Sequence, residues 1–141
     1  MWLYYLALAL TVVSSVFYHI IQKSTPADVN PIISIFITYA AAISLCVLAY
    51  PFFRSEDGFI LSFKKLNWTS YALGLAIFGI ELGFLLAYRA GWNISLANII
   101  SAVAVTLVLI LAGITIYHEK LTAVNCAGLL LCLIGIVLIK I

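Results

Sequence analysis

Charge is what this chain has least of. Only seven of its 141 residues are Lys or Arg and five are Asp or Glu, so 9% are charged against 66% hydrophobic. A soluble domain carries about 25% charged residues. So little charge cannot cover a water-facing exterior, and the solvent of this protein must be largely lipid. The basic residues Lys23, Arg54, Lys64, Lys65, Arg89, Lys120 and Lys140 are scattered and form no basic stripe, which points away from nucleic acid as a partner. Cysteine is scarce and odd in number. Cys46, Cys126 and Cys132 lie in apolar runs with no His or Cys at ligand spacing, a pattern of small apolar packing rather than disulfides or zinc. No nucleophile–base pair, metal set or phosphate loop appears, so no enzyme, cofactor or metal is expected. No Lys or Arg precedes the first apolar run. Ala7-Leu8-Ala9 is therefore read as part of a first membrane helix rather than as a cleavage site, with Trp2, Tyr4 and Tyr5 as an interfacial aromatic belt.

What is present is a succession of long apolar runs. Five reach spanning length, at about 2–22, 31–53, 69–90, 94–117 and 122–140, since some 20 residues at about 1.5 Å each cross a hydrocarbon core of about 30 Å. The expected fold is an all-α membrane bundle of about five transmembrane helices in one domain. Lys23 to Pro31 holds two prolines and an Asn-Pro step, which disfavour helix and make a loop; Pro31 suits the first turn of the next helix. In that helix Ser34 and Thr38 share a face, Ala40, Ala41 and Ala42 suit a close neighbour, and Pro51 marks a kink or a frayed end. The 54–68 connection is dense in charge, and its Phe59, Ile60, Leu61, Phe63 and Leu66 beside Lys64 and Lys65 suit a short segment lying in the interface. Asn67-Trp68-Thr69 and Asn93-Ile94-Ser95 match the glycosylation pattern but hug membrane edges, and are read as chance matches.

The polar residues inside the runs are few and patterned. In the first helix Thr11, Ser15, Tyr18, His19 and Gln22 share one face, which either lines a path or bonds to neighbouring helices. In the third, Gly79, Gly83, Ala87 and Gly91 recur every four residues as a small-residue ridge, while Glu81 and Tyr88 share a different face. The fourth helix begins polar, with Asn98 and Ser101, and the fifth has small residues at Gly128, Cys132 and Gly135 that suit packing or dimerisation. Glu81 is the main anomaly, because an acid at membrane depth costs roughly 2.5–3.5 kcal/mol or more unless it is paired or faces water. It is either a structural acid, paired with His19 or capped by Tyr hydroxyls, or a functional group that exchanges protons or pairs with a cationic substrate. His19 is either a helix contact or its proton partner. Arg89 either snorkels to the headgroups or holds an anionic group. Asn98 and Ser101 are either interhelical bonds or ligands. Threading alternate crossings puts His19, Gln22, Arg89, Asn93 and Asn98 toward one membrane face, with Glu81 one to two turns deeper. That arrangement is a vestibule open to one side.

Alternation also sorts the cations, with Arg54, Lys64, Lys65 and Lys120 on the N-terminal side and Lys23, Arg89 and Lys140 on the other. The positive-inside rule counts Lys and Arg in short loops, and here it gives nearly no bias, so both orientations are open.

The join His118-Glu119-Lys120-Leu121-Thr122, followed by Gly128 and Gly135 in an apolar run, resembles the closing signature of EamA-type repeats of the drug/metabolite transporter superfamily. Tyr18-His19-x-x-Gln22-Lys23 and the stretch Glu81 to Trp92 are similar to a bacterial subgroup of single-repeat members. The resemblance covers essentially the whole chain and implies half of a secondary transporter, whose typical members have ten helices in two inverted five-helix halves. It thereby implies a homodimer, antiparallel where the charge bias is this small, in the inner (plasma) membrane of a bacterium. Small multidrug resistance relatives place a glutamate in their first helix; here that helix carries His19, and the acid is Glu81 in the third. The expected function is proton-coupled transport of a small metabolite or organic cation. The alternative is a non-transporting or lipid-carrier-handling subunit of a hetero-oligomeric complex, in which Arg89 and the 54–68 segment would matter more.

Overall fold

The structure is a computed structural model and describes residues 2–53, 58–118 and 122–140. Among the described residues six α-helices follow one another: α1 (Trp2–Ser24), α2 (Pro31–Ala49), α3 (Gly58–Lys64), α4 (Trp68–Arg89), α5 (Ile94–Thr115) and α6 (Ala123–Lys140). Among the described residues there is no strand. The third of the runs expected to span is thus α4, because the short helix α3 forms within the 54–68 connection.

Local chemistry explains the boundaries. Asn30 caps α2, its side-chain oxygen accepting from the Ile32 amide at 2.8 Å, and Pro31 enters the first turn without an amide to waste. Pro51 has no amide to continue the ladder, and the chain tightens into a 3-10 turn over Tyr50–Phe53. Asn67 caps α4 by accepting from the Thr69 amide at 3.0 Å, so the oxygen of this glycosylation-like Asn is already engaged in the helix start. Gly91 ends α4 at φ 95°, a left-handed backbone that side-chain-bearing residues rarely adopt, and its amide reaches the Tyr88 carbonyl at 3.1 Å. After α5 the chain turns through His118 at φ 53°. The Glu119-Lys120-Leu121 join and residues 54–57 lie outside the described residues.

Among the described residues, four helices are long and apolar enough to cross a membrane, over Trp2–Ser24, Pro31–Phe53, Trp68–Arg89 and Ile94–Thr115. The pattern of burial says which solvent surrounds them. The residues turned inward include His19, Gln22, Glu81 and Tyr88, while long series of Leu, Ile, Val and Phe face outward. In water this would be inside out; in hydrocarbon, polar groups gather within and apolar ones face the lipid. Hydroxyls on outward faces bond to their own helix, as Thr11 to the Ala7 carbonyl (3.0 Å), Ser44 to Ala40 (2.9 Å) and Thr106 to Ala102 (2.7 Å). This is an all-α, multi-pass integral membrane protein.

The chain divides into two compact units, Met1–Gly91 and Trp92–Ile141. In the first, α4 packs against both α1 and α2; in the second, α5 packs against α6. Ala40, Ala41 and Ala42 are exposed, and α2 instead turns Ile35 and Tyr39 inward. Cys46 and Cys132 are free and exposed rather than packed inside.

Candidate functional site: a buried acid in a polar column

Three helical stripes converge in the first unit. On α4, Glu81, Leu85 and Tyr88 are buried at i, i+4 and i+7, the spacing that stacks side chains along one face. On α1, His19 and Gln22 are buried and Ser15 and Tyr18 partly so, continuing the stripe legible in the sequence. On α2, Ile35 and Tyr39 face inward one turn apart. The residues form two layers along α4, separated by the seven residues from Glu81 to Tyr88, or about 10 Å of helix.

The outer layer lies at the C-terminal end of α4. His19 Nδ1 and the Tyr88 hydroxyl are 2.8 Å apart and buried. A phenol can donate or accept, so this contact survives either neutral tautomer and the protonated imidazole. Phe84 stacks on Tyr88, with ring centres 5.9 Å apart, and meets His19 edge-on at 4.7 Å. Lys23 Nζ donates to the Tyr88 carbonyl at 3.2 Å and lies 5.7 Å from the centre of its ring. Arg89 donates through Nη2 to the Pro26 carbonyl at 3.1 Å, tying the α1–α2 loop to the end of α4. Its Nε is buried without a hydrogen-bond partner.

The inner layer surrounds the acid. Glu81 is 5% exposed. Gln22 Nε2 donates to its backbone carbonyl at 3.0 Å, which pins α1 to α4 while leaving the carboxyl group untouched. The Tyr39 and Thr38 hydroxyls of α2 face the carboxyl, and the Tyr18 hydroxyl of α1 lies within its electrostatic reach. The Tyr18 and Tyr39 hydroxyls are both buried and close no hydrogen bond of ordinary distance and angle. A carboxyl group held mid-helix among unsatisfied hydroxyls can take up or release a proton, or receive a cation. Among the described residues no cluster of His, Cys, Asp and Glu could hold a metal ion.

Sequence reasoning singled out Glu81, His19, Tyr18, Gln22 and Tyr88, and these come together, with Arg89 at the outer end. Ser15 is partly buried on the same stripe, whereas Thr11 is exposed and bonded to its own helix. Asn98 is exposed and Ser101 partly buried on α5 of the second unit. Among the described residues, Gly79, Gly83, Gly128 and Gly135 mark no close approach, because a Cβ built on any of them meets nothing described within 4 Å. In α4 the reason is rotational: the helix turns its Glu81–Leu85–Tyr88 stripe inward and leaves the glycine ridge outside. Tyr39, Phe84 and Lys23 were not singled out for the site, and Thr38 only as a face of its helix. A phenol in the middle of the Ile32–Leu48 run was the one available signal for Tyr39.

A profile of the EamA-like transporter family matches residues 2–141. The chain belongs to the EamA-like transporter family. No curated protein and no solved structure matches it. As an EamA-like chain it is of the drug/metabolite type of membrane transporter, and members of this family are transporters rather than enzymes. The EamA-like match spans both units, so the polar column belongs to one part of the matched region.

One test concerns the outer layer alone. Tyr88→Phe keeps the ring stack and removes the hydroxyl from His19 Nδ1. The expected cost is about 1–2 kcal/mol, read as a lower midpoint of thermal unfolding in detergent. An unchanged midpoint would show that the His19–Tyr88 contact contributes nothing to stability.

Proposed function

We propose that this chain is a proton-coupled secondary transporter of a small metabolite or organic cation, working as a homodimer in a bacterial inner membrane. The observation that carries the reading is Glu81, a carboxyl group 5% exposed at the middle of a membrane helix and faced by hydroxyls from two other helices. An ionisable group at that depth is costly and is retained where it serves a pathway. Glu81 is the proton- and substrate-exchanging group, and His19 holds the outer layer through which a proton or substrate passes. Tyr18, Gln22 and Tyr88 line the path in this unit, and Asn98 and Ser101 are path-lining residues of the second unit. Arg89 anchors the mouth. A second copy supplies the other half, antiparallel as the near-balanced Lys and Arg count permits; the outward Gly79–Gly83 ridge is suited to meet it.

The test is reconstitution into liposomes with an imposed pH gradient. Uptake or exchange of a small organic cation should follow the gradient and stop when an ionophore collapses it. Flux indifferent to the gradient would overturn the coupling.

A second reading, a lipid-carrier-handling subunit, draws on a different feature. Ile43, Cys46, Val47, Tyr50 and Phe59 line an apolar cavity of about 610 Å³ between the end of α2 and α3, a size that accommodates part of a lipid chain. Flux seen only when a second membrane protein is co-reconstituted would favour it.

A further inference from the structure

We propose that the groove where α3 folds back on the end of α2 binds an anionic phospholipid of the surrounding bilayer, with one acyl chain in the groove and the phosphate on Lys64 and Lys65. The site lies apart from Glu81, and its occupancy does not depend on what the polar column carries. It begins from one face of α2. Ile43, Cys46, Val47 and Tyr50 stand at i, i+3, i+4 and i+7, so they share a face. The same four-residue steps continue the face that turns Ile35 and Tyr39 inward. Toward the start of α2 that face is packed within the unit. Toward its end the face lines a cavity of about 610 Å³, with Phe59 of α3 as the remaining wall, and Ile43 and Val47 stay exposed. Phe59 meets Tyr50 edge-on with ring centres 5.5 Å apart and stacks on Phe63 at 6.3 Å, which docks α3 against the end of α2.

The lining decides what fills the groove. Among the described lining residues the polar side-chain atoms are the Tyr50 hydroxyl and the Cys46 thiol. An ordered water needs about two to four polar partners, and a thiol is a weak one. Acyl chains are the apolar material at hand in a bilayer. A chain gains nothing hydrophobic by leaving hydrocarbon for the groove, so the chain alone gives no preference among lipids. The headgroup must supply it. The α3 helix is seven residues long and joins the spans that end at Phe53 and begin at Trp68, which places it at the membrane edge, at headgroup level. Lys64 ends it and Lys65 follows, both exposed. Glu56 and Asp57 come before α3 in the sequence and the lysines after its aromatic residues, so the basic charge is gathered at one end. From Phe59 to Lys64 the helix advances about 8 Å, short enough for one lipid to seat a chain in the groove and its phosphate on the ammonium groups. Each lysine near an anionic lipid headgroup is worth about fivefold in affinity.

The test uses the purified full chain in detergent, carrying Cys126→Ala and Cys132→Ala so that Cys46 is its one thiol. Dioleoyl phosphatidylglycerol and dioleoyl phosphatidylcholine are titrated into the micelles. Native mass spectrometry counts the bound lipid, and the rate of Cys46 alkylation by N-ethylmaleimide reports on the groove. Phosphatidylglycerol should be retained as one lipid per chain at about 25-fold lower concentration than phosphatidylcholine, and should slow Cys46 in step with its binding. Lys64→Gln/Lys65→Gln, a change of two exposed side chains, should remove that preference. Val47→Trp, which fills the groove with its own side chain, should prevent retention of either lipid. Equal retention of the two lipids overturns the proposal, as does an unchanged preference in the folded lysine variant. Lipid retained while Cys46 reacts at its lipid-free rate overturns it too, by placing the lipid elsewhere. So does protection of Cys46 that needs no lipid and rises with protein concentration, which would put a second copy in the groove. Displacement of phosphatidylglycerol by an equal concentration of a polyprenyl phosphate would overturn it in favour of the lipid-carrier reading. Should Val47→Trp fail to fold, the lysine variant and the comparison of lipids decide by themselves.

Discussion

Glu81→Gln should reduce gradient-driven flux by on the order of 100-fold, equivalent to about 2.7 kcal/mol of lost coupling, while the protein still inserts and folds. The substitution is close to isosteric. Glutamine can still meet the Tyr39 and Thr38 hydroxyls that face this position, and the Gln22 bond to the backbone carbonyl at 3.0 Å does not depend on the side chain. What disappears is the exchangeable proton and the negative charge. Flux in proteoliposomes is the first measurement, and exchange between two substrate pools at equal pH is the second. If Glu81 carries only the proton, exchange persists while gradient-driven uptake is lost. If it also receives the substrate, both are lost. Wild-type flux in a folded Glu81→Gln protein would make the acid structural and end its proposed role.

Leu85→Ala is expected to lower stability more than any other single truncation in the first unit, by about 2 kcal/mol, near the low end of buried Leu→Ala substitutions. Leu85 is 1% exposed, whereas its neighbour Leu86 is 48% exposed. Between helices in lipid there is no hydrophobic driving force, because hydrocarbon tails are as apolar as leucine. What Leu85 supplies is close packing, and its loss leaves a void between the two polar layers. Leu86→Ala exchanges contact with lipid for contact with lipid and should change stability by no more than about 0.5 kcal/mol. Unfolding midpoints of the two variants, measured side by side in the same detergent, check the contrast. Equal effects would mean that α4 is turned differently from the orientation described above.

The site was legible in the sequence to different degrees on its three helices. On α1 the polar residues recur at helical spacing, so their common face followed from periodicity alone. On α4 the same arithmetic separated Glu81 and Tyr88 from the glycine ridge. On α2 the sequence marked only the Ser34 and Thr38 face, while Tyr39 stands in an otherwise apolar stretch and reads like any lipid-facing residue. Ala40 to Ala42 looked like the contact surface by size, yet they are exposed and Ile35 with Tyr39 faces inward. A hydropathy pattern cannot settle which way an evenly apolar helix is turned, since lipid and helix interface offer it similar surroundings.

The amino-acid sequence by itself determined the solvent, the long helices and the faces on which their polar groups gather. Composition, hydrophobic run length and the 3.6-residue repeat are all local properties of the chain. Only the tertiary structure decided that Tyr18 and Tyr39 come within electrostatic reach of Glu81, that His19 meets Tyr88, and that the glycine ridge of α4 is left open. Those outcomes depend on the rotation and sliding of one helix against another. These are set by side-chain fit and a few buried hydrogen bonds, such as the one from Gln22 to the Glu81 carbonyl, and no periodicity encodes them.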